Sequence, residues 1–293
     1  MREWTVTVRP EFAGRTVKFC LRRELGLTDR QISRLKWQQE GITCNGNPVR
    51  TNETVLPGDV LTVCVAEHRP GGAFAPADVP VEVLYEDDDL LIVNKPAGLA
   101  VHGRSEKGEP TLGGALAYRY GEKMVFHPVN RLDKDTSGAM VVAKSGLIHD
   151  RLRRQLHTPA FCREYLALAE GKGFPAAGEI DAPLDPSGDG WKQWVCAEGK
   201  PARTRYETVA VGADWTLLRV RPETGRTHQI RVHFAALGHP LLGDKLYGGE
   251  QTRLQRQGLH SSRVGLTHPV TGVTIEVTAP LPEDLARVIQ ECM

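Results

Sequence analysis

Long apolar runs are missing from this sequence of 293 residues. Stretches such as Leu90–Val93 and Ala139–Ala143 fall far short of the roughly 20 residues needed to cross a bilayer, so no transmembrane helix and no membrane partner are expected. The opening Met1-Arg2-Glu3-Trp4-Thr5-Val6 alternates like a strand and lacks the apolar core of a secretory signal; a cytoplasmic protein is the expectation. An excess of one charge is also missing. Lys and Arg number 37 against 36 Asp and Glu, so the chain as a whole recruits no polyanion, and nucleic-acid contact has to rest on local basic patches. The six cysteines form no C-x-x-C pair and no histidine lies in H-E-x-x-H, which speaks against a zinc knuckle, a redox dithiol or a structural metal. What is present, 40% hydrophobic and 25% charged residues, is ordinary globular composition. The length suggests two domains, at roughly 150 residues each.

A composition break divides the chain. Residues 67–80 are rich in Gly and Pro and read as a linker between a small domain, residues 1–66, and a larger one, residues 81–293. In the small domain Val17, Leu21 and Leu25 recur every fourth residue, an amphipathic helix that Gly26 ends. Thr28-Asp29-Arg30-Gln31 fits a capping box for a second helix carrying Ile32 and Leu35. A strand then runs into the Asn45-Gly46 turn, and Val60–Val65 forms a last strand. Arg15, Lys18, Arg22, Arg23, Arg30, Arg34 and Lys36 face only Glu24 and Asp29 in the helical part, a clustering that suits backbone phosphates. Short basic helices followed by a small β ribbon resemble the alpha-L (S4-like) RNA-binding domain.

Beyond the linker, strand-like segments outnumber helices and do not alternate with them strictly, which points to an α+β domain with a mixed, mainly antiparallel sheet. Helices are expected at 111–120, 146–157, 227–237 and 282–291. In the second of these, Ile148, Leu152 and Leu156 form an inward stripe that leaves Arg151, Arg153 and Arg154, with Lys144 and Arg163, for a polyanion. Residues 171–200 form a Gly- and Pro-rich excursion without a chemical reading.

Two segments carry polar chemistry. Asn130-Arg131-Leu132-Asp133-Lys134-Asp135-Thr136-Ser137-Gly138 crowds charged and hydroxyl groups into a loop just before an apolar strand. Pro222-Glu223-Thr224-Gly225-Arg226-Thr227-His228-Gln229-Ile230-Arg231-Val232-His233 leads from a strand into a helix, with Thr224 or Thr227 available as its cap and Arg226 and Gln229 in its first turn. An arginine there is poorly matched to the helix dipole and calls for a carboxylate partner. Asp135 reads as a turn or ion-pair residue, and His228 and His233 are poorly spaced for one metal.

These blocks, with Tyr85–His102 before them, Arg163-Glu164-Tyr165 between them and Leu259-His260 and His268-Pro269 after them, occur in the order found in the ribosomal large-subunit (RluA-type) pseudouridine synthase family, which this chain resembles from about residue 80 to 285. The resemblance implies isomerisation of uridine to pseudouridine in RNA, with no cofactor and no metal. It places the nucleophile at Asp133, its guanidinium partner at Arg226 and the ring that stacks on the base at Tyr165. Arg131 matches the residue that enters the space a flipped nucleotide leaves, and Ile230 the apolar pocket residue; Thr136, His228 and Gln229 join the substrate-binding set. A cation beside a carboxylate favours its charged form and fixes its direction. The RNA-binding set is Arg15, Lys18, Arg22, Arg23, Arg34 and Lys36, with Arg151 and Arg154 on the larger domain. Asn130 stands where histidine is common, Arg163 replaces a frequent lysine and Ser261 a frequent alanine, departures that bear on substrate preference. Ribosomal 23S RNA is the expected target and a monomer the expected state. The alternatives are transfer RNA as substrate, or a non-catalytic RNA-binding or ribosome-assembly factor, which would have no need of the Asp133, Tyr165 and Arg226 set. A carboxylate glycosidase would want a second acid.

Overall fold

A computed structural model describes residues 2–38, 40–65, 74–102, 109–121, 125–186, 190 and 192–291. It divides into two compact units, residues 1–73 with 145–147, and residues 74–144 with 148–293. The expected linker lies outside the described residues up to 73. Its remainder belongs to the second unit, where Ala77 donates its amide to the Gly114 carbonyl and Phe74 packs edge-on against Phe126. That unit therefore starts before residue 81.

The first unit holds β1 (Arg2–Thr7), α1 (Val17–Glu24), α2 (Asp29–Leu35), β2 (Ile42–Cys44), β3 (Asn47–Pro48) and β4 (Val60–Val65). Thr16 caps α1 by accepting from Phe19 N, and the Thr28–Gln31 pair closes a reciprocal capping box on α2. The four strands pair in the order β1-β4-β2-β3. Asn45 and Gly46 both take positive φ, as a two-residue hairpin turn between twisted strands requires. Val17, Cys20, Leu21, Ile32 and Leu35 pack on Ile42, Leu61 and Val63, so the helices turn their cationic faces outward.

The second unit is built on β5 (Glu82–Glu86), β6 (Leu90–Lys95), α3 (Leu112–Tyr120), β7 (His127–Pro128), β8 (Ser137–Ala143), α4 (Gly146–Gln155), β9 (Phe161–Glu170), β10 (Ala177–Asp181), β11 (Leu184–Pro186), β12 (Gln193–Val195), β13 (Arg203–Val211), β14 (Trp215–Pro222), α5 (Gln229–Ala236), β15 (Leu259–Thr267), β16 (Thr274–Thr278) and α6 (Glu283–Gln290). Ten strands form one mixed sheet in the order β10-β13-β14-β9-β15-β8-β6-β5, with β16 on β15 and β7 on β8. Among the described strands of this sheet, every pairing except β8 with β15 is antiparallel. Alternate residues of the central strands feed two cores. Ala167 and Ala169 join Met140, Leu218, Leu116 and Phe234 on one side, while Leu168 joins Trp215, Leu285 and Val288 on the other. The excursion before β13 contributes the β11–β12 hairpin, where Leu184 packs with Ala202 and Val232 of α5.

The parallel pairing of β8 with β15 positions the polar loop. Gly138 pairs with Ser261 and has φ +110; a side chain there would collide with the Ser261 carbonyl. Only glycine lets β8 run this close to β15. The loop ahead of it, residues 129–136, is thereby brought to the mouth of a cleft.

Candidate active site

The cleft encloses about 730 Å³ and is lined from the loop before β8, from α4, from β9 and from the turn leading into α5. Asp133 stands in it with its side chain a quarter exposed. Its loop is tied down from behind. Thr136 N donates to the Asp133 carbonyl and Asn130 Oδ1 accepts from Val141 N. Two cations, Lys95 fully buried and Arg256 partly so, hold the next carbonyls: Lys95 Nζ donates to Lys134 O at 2.8 Å, and Arg256 Nη1 to Asp135 O at 3.0 Å. Lys95 also donates to Pro96 O and Leu99 O, so three acceptors match its three protons. Arg256 is braced in turn by both oxygens of Asp284 on α6.

The guanidinium that reaches Asp133 is that of Arg231. Its Nη1 donates to Asp133 Oδ2 at 3.0 Å, while Nε and Nη2 grip Asp244 at 2.7 and 2.8 Å. Burial works against the charge of Arg231, yet Asp244 and Asp133 outweigh it and raise its pKa. A fork already locked by a buried carboxylate has little freedom left, so the direction of its third contact is set before any ligand arrives. Tyr165 on β9 and Ile230 on α5 are both buried along the cleft wall. Burial raises the Tyr165 pKa, with Arg163 opposing and Asp133 adding to the rise; its phenol is neutral at physiological pH. A carboxylate with one oxygen oriented, beside an aromatic ring and an aliphatic side chain, matches a planar base and an electron-poor carbon.

Residues 89–236 match the RNA pseudouridylate synthase family. A Bacillus subtilis protein described as uncharacterized RNA pseudouridine synthase YhcT is 40% identical over 83% of this chain and 82% of its own length. Ribosomal large subunit pseudouridine synthase D of Vibrio cholerae is 40% identical over 97% of this chain and 93% of its own. The chain belongs to the RNA pseudouridylate synthase family. Among solved structures, human RNA pseudouridylate synthase domain containing 1 superposes with a TM-score of 0.57 at 26% identity, covering 76% of this chain and 97% of that one. The protein is an RNA pseudouridine synthase of the RluA type, an isomerase acting on RNA, with the α+β, mainly antiparallel fold of that family.

Several residues of the synthase differ in role from the sequence-based expectation. Arg226 lines the cleft but is exposed and donates Nε to Pro201 O. It precedes α5, which starts at Gln229; no threonine caps it, and His228 occupies the cap position in the left-handed region. The arginine of the helix itself is Arg231, buried in its first turn, and the motif carries both arginines. Gln229 is 4% exposed, accepting from Arg226 N and Thr224 Oγ1 and donating to Arg203 O and Thr204 Oγ1; it holds the loop and has no hydrogen-bonding capacity left for a nucleoside. Thr136, also buried, accepts from Gln257 and closes the Asp133 turn. Arg131 is exposed on the cleft wall. The α4 patch is smaller than its sequence suggests, because Arg151 is half-buried and donates to Pro269 O, Lys144 pairs with Glu86, and Arg163 donates to the carbonyls of Pro222 and Thr224. Arg154 remains exposed.

Sequence reading missed Asp244 and Tyr247, which no local motif ties to the Asp133 loop. It also missed His149 on α4 and His157 just beyond the helix, which line the cleft together with Arg153, although their spacing of four from Arg153 is a helical signal. A third cluster, Asp87, Asp89 and His268, has ligand-type atoms within 4.8 Å of one another. His268 Nδ1 accepts the amides of Val270 and Thr271, which leaves its proton on Nε2, 3.1 Å from Asp87. Both ring nitrogens are used, so the group is a clasp between two turns and not a ligand set.

Proposed function

We propose that Asp133 is the nucleophile of this synthase and that its substrate is a uridine in large-subunit ribosomal RNA. The observation that carries this reading is the Asp133 carboxylate held at one oxygen by an Arg231 that Asp244 has already immobilised. Oδ1 has no protein donor among the described residues. A carboxylate oxygen adds to an electron-poor carbon of the nucleoside, the bond between N1 and C1′ breaks, and the uracil turns and rejoins C1′ through carbon-5. N1 takes the electron pair of the broken bond and is protonated, the carbon-5 proton is released in its place, and Asp133 leaves as the carboxylate it began as, so the product is an isomer of the substrate. Reaching Asp133 requires the nucleotide to leave its stack, at a cost of a few kcal/mol, and the exposed Arg131 is suited to fill the space. Tyr165 would stack on the turned-out base, worth roughly 1–3 kcal/mol.

The first unit is read as the alpha-L RNA-binding domain. Arg15, Lys18, Arg22, Arg23, Arg34 and Lys36 are exposed, and Trp37, 81% exposed with Lys36 Nζ 5.1 Å from its ring centre, offers a stacking face. The name of the Vibrio cholerae relative supports a ribosomal target.

The test is a map of pseudouridines in total RNA from cells carrying the wild type, Asp133→Asn, or no copy of the gene. Loss of the same large-subunit positions in the last two supports the proposal. Loss confined to transfer RNA overturns the target, and an Asp133→Asn map identical to wild type overturns the nucleophile.

A further inference from the structure

Tyr247 lies between α5 and β15 with its ring beneath the Arg231 guanidinium, 5.0 Å from its centre. Its hydroxyl makes two contacts. Gln193 N, on β12, donates to Oη at 2.9 Å, and Oη lies 2.9 Å from His228 Nδ1. A phenol has one proton, and among the described residues no other acceptor lies within hydrogen-bond distance of Oη. Nδ1 is thus the protein acceptor open to the phenol proton, and an imidazole that accepts it there carries its own proton on Nε2. That nitrogen faces the cleft, 3.9 Å from Asp133 Oδ2.

We infer that Tyr247 is a positioning residue that fixes His228 as the Nε2–H tautomer, so that the cleft presents a neutral imidazole donor beside Asp133. The proposal rests on Asp133 as the nucleophile. At 3.9 Å the N–H does not bond the carboxylate directly and is left for an acceptor oxygen of the bound nucleoside. The backbone agrees: His228 has φ 53 and ψ 18, a region that costs a β-carbon residue energy and persists where surroundings enforce it. The groups facing the ring are Asp133 from the nucleophile loop, Arg231 from α5, and Asp244 and Tyr247 from the following loop. Burial lowers the His228 pKa, with Asp133 and Asp244 opposing and Arg231 adding to the fall. A hydroxyl donating to Nδ1 adds to the preference for the neutral ring. The β11–β12 hairpin thereby acquires a part, since its Gln193 amide occupies the acceptor side of Oη and turns the phenol proton toward His228.

The direct test is nitrogen-15 NMR of the histidine-labelled full-length protein at neutral pH, with the His228 signals identified by their loss in His228→Gln. The expected pattern is a protonated Nε2 and an unprotonated Nδ1. A protonated Nδ1, or an imidazolium, overturns the inference, and this readout is independent of activity. Tyr247→Phe keeps the ring over Arg231 and removes only the hydroxyl. It should slow single-turnover pseudouridine formation roughly tenfold, the order of one hydrogen bond, with RNA affinity unchanged within about twofold. The imidazole then protonates more readily, so the acid limb of the rate profile moves to higher pH. An unmoved acid limb with an unmoved tautomer signal in Tyr247→Phe overturns the positioning role. An active Asp133→Asn would overturn the nucleophile assignment while leaving the tautomer result standing, so the two failures are distinguishable.

Discussion

The two units use positive charge in opposite ways. On the first, Lys18, Arg22, Arg23 and Arg34 project from short helices into solvent, and the pairs Lys18–Asp29 and Arg22–Asp29, at 3.1 and 3.5 Å, join side chains that are about half exposed. In the second, Lys95 and Arg231 are buried, and their hydrogen-bond donors meet named acceptors. Water screens the first kind of charge, so each cation contributes a little and is exchangeable. The second kind has no water to fall back on, and removing one partner strands the other. One set suits a sliding polyanion; the other sets the geometry of a single carboxylate.

The largest difference is expected between two arginines that share a motif, Arg231 and Arg226. Arg231→Met should reduce single-turnover pseudouridine formation by more than about 10³-fold. It should also cost about 3–5 kcal/mol of stability in urea titrations, because Asp244, 1% exposed, loses its bidentate partner. Arg226→Met should change the rate less than about tenfold and stability by less than about 1 kcal/mol. Equal effects from the two would end the assignment made here. Next in size is Lys95→Met, expected to cost roughly 2–4 kcal/mol by leaving three carbonyls without a donor, with activity falling alongside as the Asp133 loop loosens.

A smaller effect is read from acid. Burial pushes the His260 pKa down to about 4, with its Nδ1 2.9 Å from Ser137 Oγ. The unfolded chain therefore binds this proton at higher pH than the folded one. The stability that His260 supplies is complete above about pH 6.5 and lost as the pH falls toward 4, on the order of 3 kcal/mol in all. Burial also lowers His149 and His233, which adds in the same direction. Urea midpoints at pH 7 and pH 4.5 would show it, and a flat profile would contradict it. The smallest effects belong to the first unit. Gln in place of Arg22, Arg23 or Arg34 should weaken RNA binding by about 0.5–1 kcal/mol each. Each should also reduce the salt slope by about one unit per lost phosphate contact, with the rate at saturating RNA unchanged. A salt-independent loss would place these residues in the wrong class.

The elements themselves were legible. The period of four in Val17, Leu21 and Leu25, the capping pair Thr28 and Gln31, and the Asn45-Gly46 turn each act through near neighbours, and each appears where its local chemistry requires. Asp133 was legible for a related reason: its motif is compact, with its charged and hydroxyl groups inside the nine consecutive residues Asn130 to Gly138. The partner of Asp133 was not. Arg226 and Arg231 lie five residues apart, and the choice between them depended on where α5 begins, which no capping threonine marked. The same shift of start moved Gln229 from a substrate contact to a fully bonded brace. Arg151 belongs with these, because its helix face looked solvent-exposed until the turn after β15 supplied the Pro269 carbonyl.

By itself, then, the order of amino acids determined most of the secondary structure, the family motifs, the polar loop of Asp133 and the outward cations of the first unit, since all of these follow from periodicity and from interactions within a few residues. Tertiary structure alone decided that Arg231 meets Asp133, that Asp244 holds Arg231, and that Tyr247 and the β12 amide orient His228. Those contacts join segments up to about a hundred residues apart, and which of several equivalent side chains makes them depends on helix register and burial.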